Sequence, residues 1–270
     1  MSCSRLHVPR AVFRFLFGST FKVRLFAFVM VLLPVVVAAQ GGFGRRALRP
    51  ESGNPAYTAD FVFTRIAYGR GLQGFRGFGG SSWNHDYPEA DLYLTQVLDD
   101  LTRMRVRANH SNVMDLGDPA IFENPIMYIS EPGFWGLADA DVPKLRAYLL
   151  KGGFVIFDDF EGEQWNNMAR NMARALPEHQ WIRLDISHPI FHTFFDVKAF
   201  EVPHPSVRVE PAFWGLFEHN DPTRRMIALA NHNSDIAEYW EWSARDMFPV
   251  HVTSGAYQLG VNWIIYGMTH

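Results

Sequence analysis

The sequence predicts one doubly wound α/β domain with a mostly parallel sheet. Two observations predict it. Strand-like and helix-like segments alternate through the middle of the chain, as βαβ units do. The strand FVIF (Phe154–Phe157) is apolar throughout rather than alternating, which means both its faces are covered.

The elements follow in order. DFVFTRIAY (Asp60–Tyr68) alternates β-branched and aromatic residues and reads as a strand; the glycine-rich stretch GRGLQGFRGFGGSS follows it. Pro88–Met104 reads as a helix, with Tyr93, Val97, Leu101 and Met104 at helical spacing. A short strand is expected around Val106, and PIMYIS (Pro125–Ser130) is a buried strand. Ala138–Lys151 reads as a helix with Asp139 or Asp141 as cap, Pro143 in its first turn and Gly152 closing it. After Phe154–Phe157 come a helix over Glu163–Leu176 and a strand over Trp181–Ile186. Pro189–Phe195 is expected as a short helix, Val207–Phe217 and Met226–Ala230 as strands, and Ala256–Met268 as the closing helix.

The N-terminal region has another character. Residues 1–24 carry Arg5, Arg10, Arg14, Lys22 and Arg24 and no acid. Leu25–Val37 is an apolar run of thirteen, and Val37-Ala38-Ala39 precedes Gln40. Basic region, short apolar core and small-residue exit are the parts of a secretory signal. The run is shorter than the roughly 18–20 residues that span a bilayer. Residues 1–39 are therefore expected to be a cleaved signal peptide, 40–56 a flexible linker, and 57–270 a single α/β domain. The location is then periplasmic or extracellular, the alternative being an uncleaved N-terminal anchor.

Cleavage changes the chemistry that remains. Lys+Arg falls from 25 to 20 against 28 acids, so the net charge goes from −3 to −8. Such a chain repels phosphate backbones, and nucleic acid is not expected as a partner. Cys3 is the one cysteine and leaves with the signal. Disulfides, cysteine nucleophiles and cysteine-liganded zinc are excluded from the mature chain.

In an open α/β sheet, ligands sit outside the carboxyl ends of the strands. The polar residues there are Glu131 after PIMYIS, with Phe134 and Trp135; Asp158, Asp159 and Glu161 after FVIF; Glu218–Asp221 after Phe217; and Asn231–Asp235 after MIALA. The ligand-binding candidates are Asp158, Asp159, Glu131, Trp135, His85 and Asp86. Adjacent aspartates on an extended chain point opposite ways, so one faces the crevice while the other caps a helix or holds a loop amide. No cofactor is predicted; these acids could supply oxygens to a divalent cation, though no calcium-loop spacing is present. Gly69–Gly74 matches G-x-G-x-x-G, but no helix opens at once to meet a pyrophosphate, so it reads as a loop. Asn231–Asp235 reads as a turn. His188 and His192 are four apart, without the glutamate of the zinc-protease pattern, and read as structural.

FTRIAYG, then Trp83-Asn84-His85-Asp86, YPEADLYL, LRAYLLKGGFVIFDD, SHPIF and GVNWIIYGMTH occur in this order from about Tyr57 to His270. Together they resemble the domain of unknown function 4159 family, which is regarded as similar to class I glutamine amidotransferase-like folds. The resemblance implies a flavodoxin-like, three-layer α/β architecture. It carries no activity across: such amidotransferases need a cysteine on a strand-to-helix elbow, and no residue here matches it. The function expected is a non-catalytic binding module of the cell envelope, its partner an envelope protein or a small-molecule or glycan ligand. The alternative is a metal- or carboxylate-dependent hydrolase using the Asp158/Asp159 edge.

Overall fold

The computed structural model describes residues 53–55, 58, 60–69 and 82–270. The expected signal peptide, all of the linker but 53–55, and the glycine-rich loop from 70 to 81 lie outside the described residues.

Among the described residues, seven strands form one sheet in the order β2-β1-β3-β4-β7-β6-β5. They are β1 (Phe61–Ile66), β2 (Val106–Met114), β3 (Ile126–Ser130), β4 (Phe154–Phe160), β5 (Ile182–Arg183), β6 (Ala212–Phe217) and β7 (Met226–His232). β2, β1, β3, β4 and β7 run parallel, and β6 runs against both β7 and β5. The helices are α1 (Glu89–Leu101), α2 (Val142–Leu150), α3 (Gln164–Ala175), α4 (Ala237–Glu241) and α5 (Val250–Thr269).

The strands bury both faces with period two. Phe154 and Ile156 of β4 join Ile126 and Tyr128 in a core under α1, α4 and α5. Val155 and Phe157 join Met127 and Ile129 in a second core under α2 and α3. Helices therefore cover both faces of a mostly parallel sheet, which is why the strands read as continuous apolar runs. Each fully buried Leu, Ile or Phe in these layers contributes about 1.5–3 kcal/mol of transfer free energy. None of the helices among the described residues is long and apolar enough to cross a membrane.

Several boundaries differ from expectation. β2 has nine residues rather than a short stretch around Val106. α1 turns Ala90, Leu94 and Leu98 inward, while Leu101, expected on the buried face, is 52% exposed. Asp141 occupies the cap position of α2 but makes no cap hydrogen bond; its carboxylate instead accepts from Lys144 Nζ at 2.9 Å. Gly152 closes α2 as expected, with φ of +115°, a conformation only glycine adopts at little cost. β4 does not end at Phe157 but carries Asp158, Asp159 and Phe160 within the strand. α4 was not expected at all; its five residues are too few to show a helical period.

Strand direction sorts the polar loops. β7 is parallel to β4, so Asn231–Asp235 arrive at the same edge as Asp158 and Glu131. β6 is antiparallel, so Glu218–Asp221 lie at the opposite edge. There Asn220 pairs with the Gln180 amide and the Glu178 carbonyl.

Candidate functional site

The site forms where β3, β4 and β7 end and the chain from β1 returns toward α1. The pairing of β4 with β7 shifts register between Phe157 and Phe160, and Asp159 within the shift has φ of +61°. Bulges of this kind re-aim a side chain out of the strand's alternation. The two aspartates consequently meet different partners.

Asp158 is fully buried on the α4 side of the sheet. Its Oδ2 accepts from the Tyr128 hydroxyl at 2.7 Å and from the amides of Ile236 and Ala237 at 3.0 and 3.1 Å; its Oδ1 accepts from Asn231 Nδ2 at 3.2 Å. It thus satisfies the open amides at the start of α4, which a helix cannot pair internally. Burial pushes its carboxyl up to about 6, against the pull of the Tyr128 hydroxyl.

Asp159 turns toward His85 and Asp86. His85 Nδ1 lies 2.9 Å from Asp159 Oδ2 and 3.1 Å from Asp86 Oδ1. Neither contact is aligned as a hydrogen bond: Asp159 Oδ2 and both oxygens of Asp86 are buried without a hydrogen-bond donor. Asp235 completes the group; one ligand atom from each of His85, Asp86, Asp159 and Asp235 lies within 4.8 Å of the others. Asp86 also converges on Glu238 and Glu241 of α4.

The electrostatics are those of crowded acids. Contact first with Asp159 and then with Asp86 pushes the half-exposed His85 imidazole up to about 12. Burial raises Asp159, with His85 opposing, and raises Asp235 further, with Asp159 and Asp86 adding repulsion. Burial and the charge of Asp159 push Glu131 up to about 7, and burial with Asp86 brings Glu238 to about 7.

The backbone carries strain at the same place. Among the described residues, seven other than glycine have positive φ, and Asp86, Glu131, Asp159 and Asn233 of these gather at this edge. Strained conformations persist only where the surroundings over-determine them, and they cluster at functional sites.

A buried arginine positions the His85 turn. Arg65 of β1 pairs with Asp91 of α1 at 2.6 Å and donates from Nη1 to the carbonyls of His85 at 2.7 Å and Trp83 at 3.2 Å. Asp91 also accepts from Ser111 Oγ at 2.5 Å. The guanidinium stacks over Tyr128 at 5.0 Å, so one residue ties both the His85 turn and the Asp158 support to the sheet.

Four of the six candidate residues, His85, Asp86, Asp159 and Glu131, come together here, with Asp158 beneath them. Trp135, the sixth candidate, is part of the core. It is 1% exposed, packed on Phe157 at 5.6 Å between ring centres. It borders a cavity of about 380 Å³ at the carboxyl ends of β1 and β2, lined also by Tyr68, Leu116 and Leu137. This cavity adjoins the topological switch point, because the chain passes from β2 across β1 to β3. His188 and His192 share no site: His188 Nδ1 accepts from the Ile190 amide, and His192 is engaged by Asp196 and the Ile186 carbonyl.

Sequence reasoning puts Asp235 at this edge but only as part of a turn, and leaves Glu238, Glu241, Arg65 and Asp91 out of the site. Two signals were available. Asp235 and Glu238 have the spacing of a capping box, and the Asp235 carboxylate does accept from the Glu238 amide at 3.2 Å. Arg65 is a lone charge in an apolar strand, which demands a buried partner.

A family model described as Domain of unknown function (DUF4159) matches residues 62–268, most of the chain. The chain belongs to the DUF4159 family. No curated protein matches it. The matched span holds every residue of the acidic site, so the site belongs to the DUF4159 region itself.

Proposed function

We propose that this DUF4159 chain is an exported, non-covalent binding module of the cell envelope whose acidic crevice takes a positively charged ligand or partner group. The observation that carries the reading is the convergence of buried, donor-poor oxygens of Asp86 and Asp159 on one half-exposed imidazole. Buried charges are normally matched by a partner; one imidazole stands against the carboxylates of Asp86, Asp159 and Asp235, and a cationic ligand would match the remainder. Export is supported by the basic, apolar and small-residue succession up to Ala39. The parallel run β2-β1-β3-β4-β7 supports the finer assignment to the flavodoxin-like, class I glutamine amidotransferase-like architecture. A glycan platform loses support, since the Trp135 ring is buried. The hydrolase alternative is not favoured: Asp158, one of the two carboxylates it calls on, is buried and taken up by the Tyr128 hydroxyl and the amides of Ile236 and Ala237.

The test is a thermal melt against a panel of cations that includes divalent metals, polyamines and guanidinium-bearing peptides, with Asp159→Asn beside the native chain. A ligand that binds only the folded state raises Tm by mass action. The expected result is a rise with at least one class of cation in the native chain and none in Asp159→Asn. No rise with any cation, or the same rise in the variant, overturns the reading. Cell fractionation checks export.

A further inference from the structure

We infer that His85, Asp86, Asp159 and Asp235 form a site for one divalent transition-metal cation, of the manganese or zinc type, at the carboxyl edge of β4. This rests on the binding reading above and names the class of cation.

Spacing is the first argument. Two donors bonded to a metal at about 2.1 Å and set at right angles are about 3.0 Å apart, and opposed donors about 4.2 Å. His85 Nδ1 stands 2.9 and 3.1 Å from its two carboxylate neighbours, and the four donor atoms span no more than 4.8 Å. The 2.9 and 3.1 Å separations are those of neighbouring ligands around a common centre, and the widest pair, within 4.8 Å, closes on the ion when it binds.

Direction is the second. An imidazole in a simple ion pair aims its N–H at one oxygen. Here the nitrogen stands within 3.1 Å of two oxygens and singles out neither. The Asp86 side chain is fully buried, and neither of its oxygens meets a hydrogen-bond donor. A carboxylate so placed lacks the donors that ordinarily satisfy it.

The surroundings hold the donors in place, as outer-shell contacts do in metal sites. Arg65 fixes the His85 carbonyl, the Asp86 carbonyl accepts from the Ala90 amide at 2.9 Å, and Asp235 is anchored by the Glu238 amide. His85 is 46% exposed on its side chain, which leaves an entry path from solvent. One imidazole with three carboxylates suits manganese, iron or zinc, whereas magnesium and calcium prefer oxygen alone.

The experiment uses the chain as isolated from its host, stripped with chelator and dialysed against Mn²⁺, Zn²⁺, Mg²⁺ or Ca²⁺. Bound metal is counted by elemental analysis, and Mn²⁺ is also followed by electron paramagnetic resonance. About one Mn²⁺ or Zn²⁺ per chain is expected, with affinity lowered by at least about a hundredfold in Asp235→Asn and in the half-exposed His85→Gln. His85→Gln keeps the test open if the buried variant does not fold. Failure to retain Mn²⁺ or Zn²⁺, equal retention by both variants, or tighter binding of Mg²⁺ or Ca²⁺ overturns the inference. Should polyamines or guanidinium peptides raise Tm while no metal binds, the metal site falls and the binding module stands. If nothing in the cation panel binds, both fall.

Discussion

Asp158 and Asp159 are consecutive residues of one strand, yet Asp158 Oδ2 accepts from the Tyr128 hydroxyl and two backbone amides while Asp159 Oδ2 faces the His85 ring without an aligned donor. The register shift in β4 produces this division. One acid is part of the frame and the other faces the cluster of His85, Asp86 and Asp235.

Asp158→Asn and Asp159→Asn should therefore act in opposite directions on stability. An amide at 158 sets its own donor among groups that already donate, leaving a buried donor unsatisfied at a cost of about 1–3 kcal/mol. An amide at 159 weakens the contact with His85 but removes the larger cost of burying a charge and the repulsion from Asp86 and Asp235, and asparagine accepts positive φ well. A gain of about 0.5–2 kcal/mol is expected, as where strained binding sites are relaxed. Urea titrations of both variants decide it. Equal destabilisation by the two would show that Asp159 is also part of the frame.

The Arg65–Asp91 pair should be costly to break and cheap to replace as a unit. Both side chains are fully buried and paired at 2.6 Å. Asp91→Asn leaves a buried guanidinium short of charge and should lose about 3–5 kcal/mol. Arg65→Met with Asp91→Leu removes both charges and should recover much of that loss. It also unfastens the His85 carbonyl, so cation binding should weaken although the fold persists. Thermal melts with and without the best-binding cation separate these effects.

The aspartate pair and the buried arginine show how far the sequence could be read. The sheet was legible because strands covered on both faces, such as Phe154–Phe157, are apolar throughout, and because the helices between them are long enough to show a period. The location of the site was legible too, since parallel strands bring their polar ends to one edge. What was not legible depends on residues distant in the chain. Asp235 reaches Asp86 only because β7 lies beside β4 and a five-residue helix begins there. Trp135 is a ligand-binding candidate by its place after a strand, but the turn over Pro132–Phe134 folds it onto Phe157. Glu218–Asp221 looked like site residues until the direction of β6 placed them at the far edge.

Gly260 of α5 lies close against Trp240 and Leu94. A Cβ built there would lie 2.5 Å from Trp240 Cζ2 and 3.0 Å from Leu94 Cδ1. Gly260→Ala should destabilise by about 1–3 kcal/mol through overpacking, despite the better helix propensity of alanine. Trp240→Leu opens the same space, so the double variant should cost less than the sum of the two single changes. Additive losses in a double-mutant cycle would show that the two residues do not press on each other.

His188 should make stability depend on acid pH independently of the acidic site. Its ring packs against Phe217 and Tyr266, and Nδ1 accepts from the Ile190 amide at 3.2 Å. Burial, with nearby His270, lowers the imidazole from its ordinary 6.5 to about 4. The unfolded chain then binds the extra proton between these values and the folded chain does not. The contribution is full above 6.5 and is lost as pH falls toward 4. One proton sets a ceiling of about 1.4 kcal/mol per pH unit, and solvent around the half-buried ring keeps the slope below it. His188→Asn retains an acceptor for the Ile190 amide but cannot titrate. Urea midpoints at pH 7.0, about 5.5 and about 4.5 should show the advantage of the native chain over His188→Asn shrinking with acidification. Parallel curves for the two proteins would mean that the proton taken up on unfolding belongs to another group.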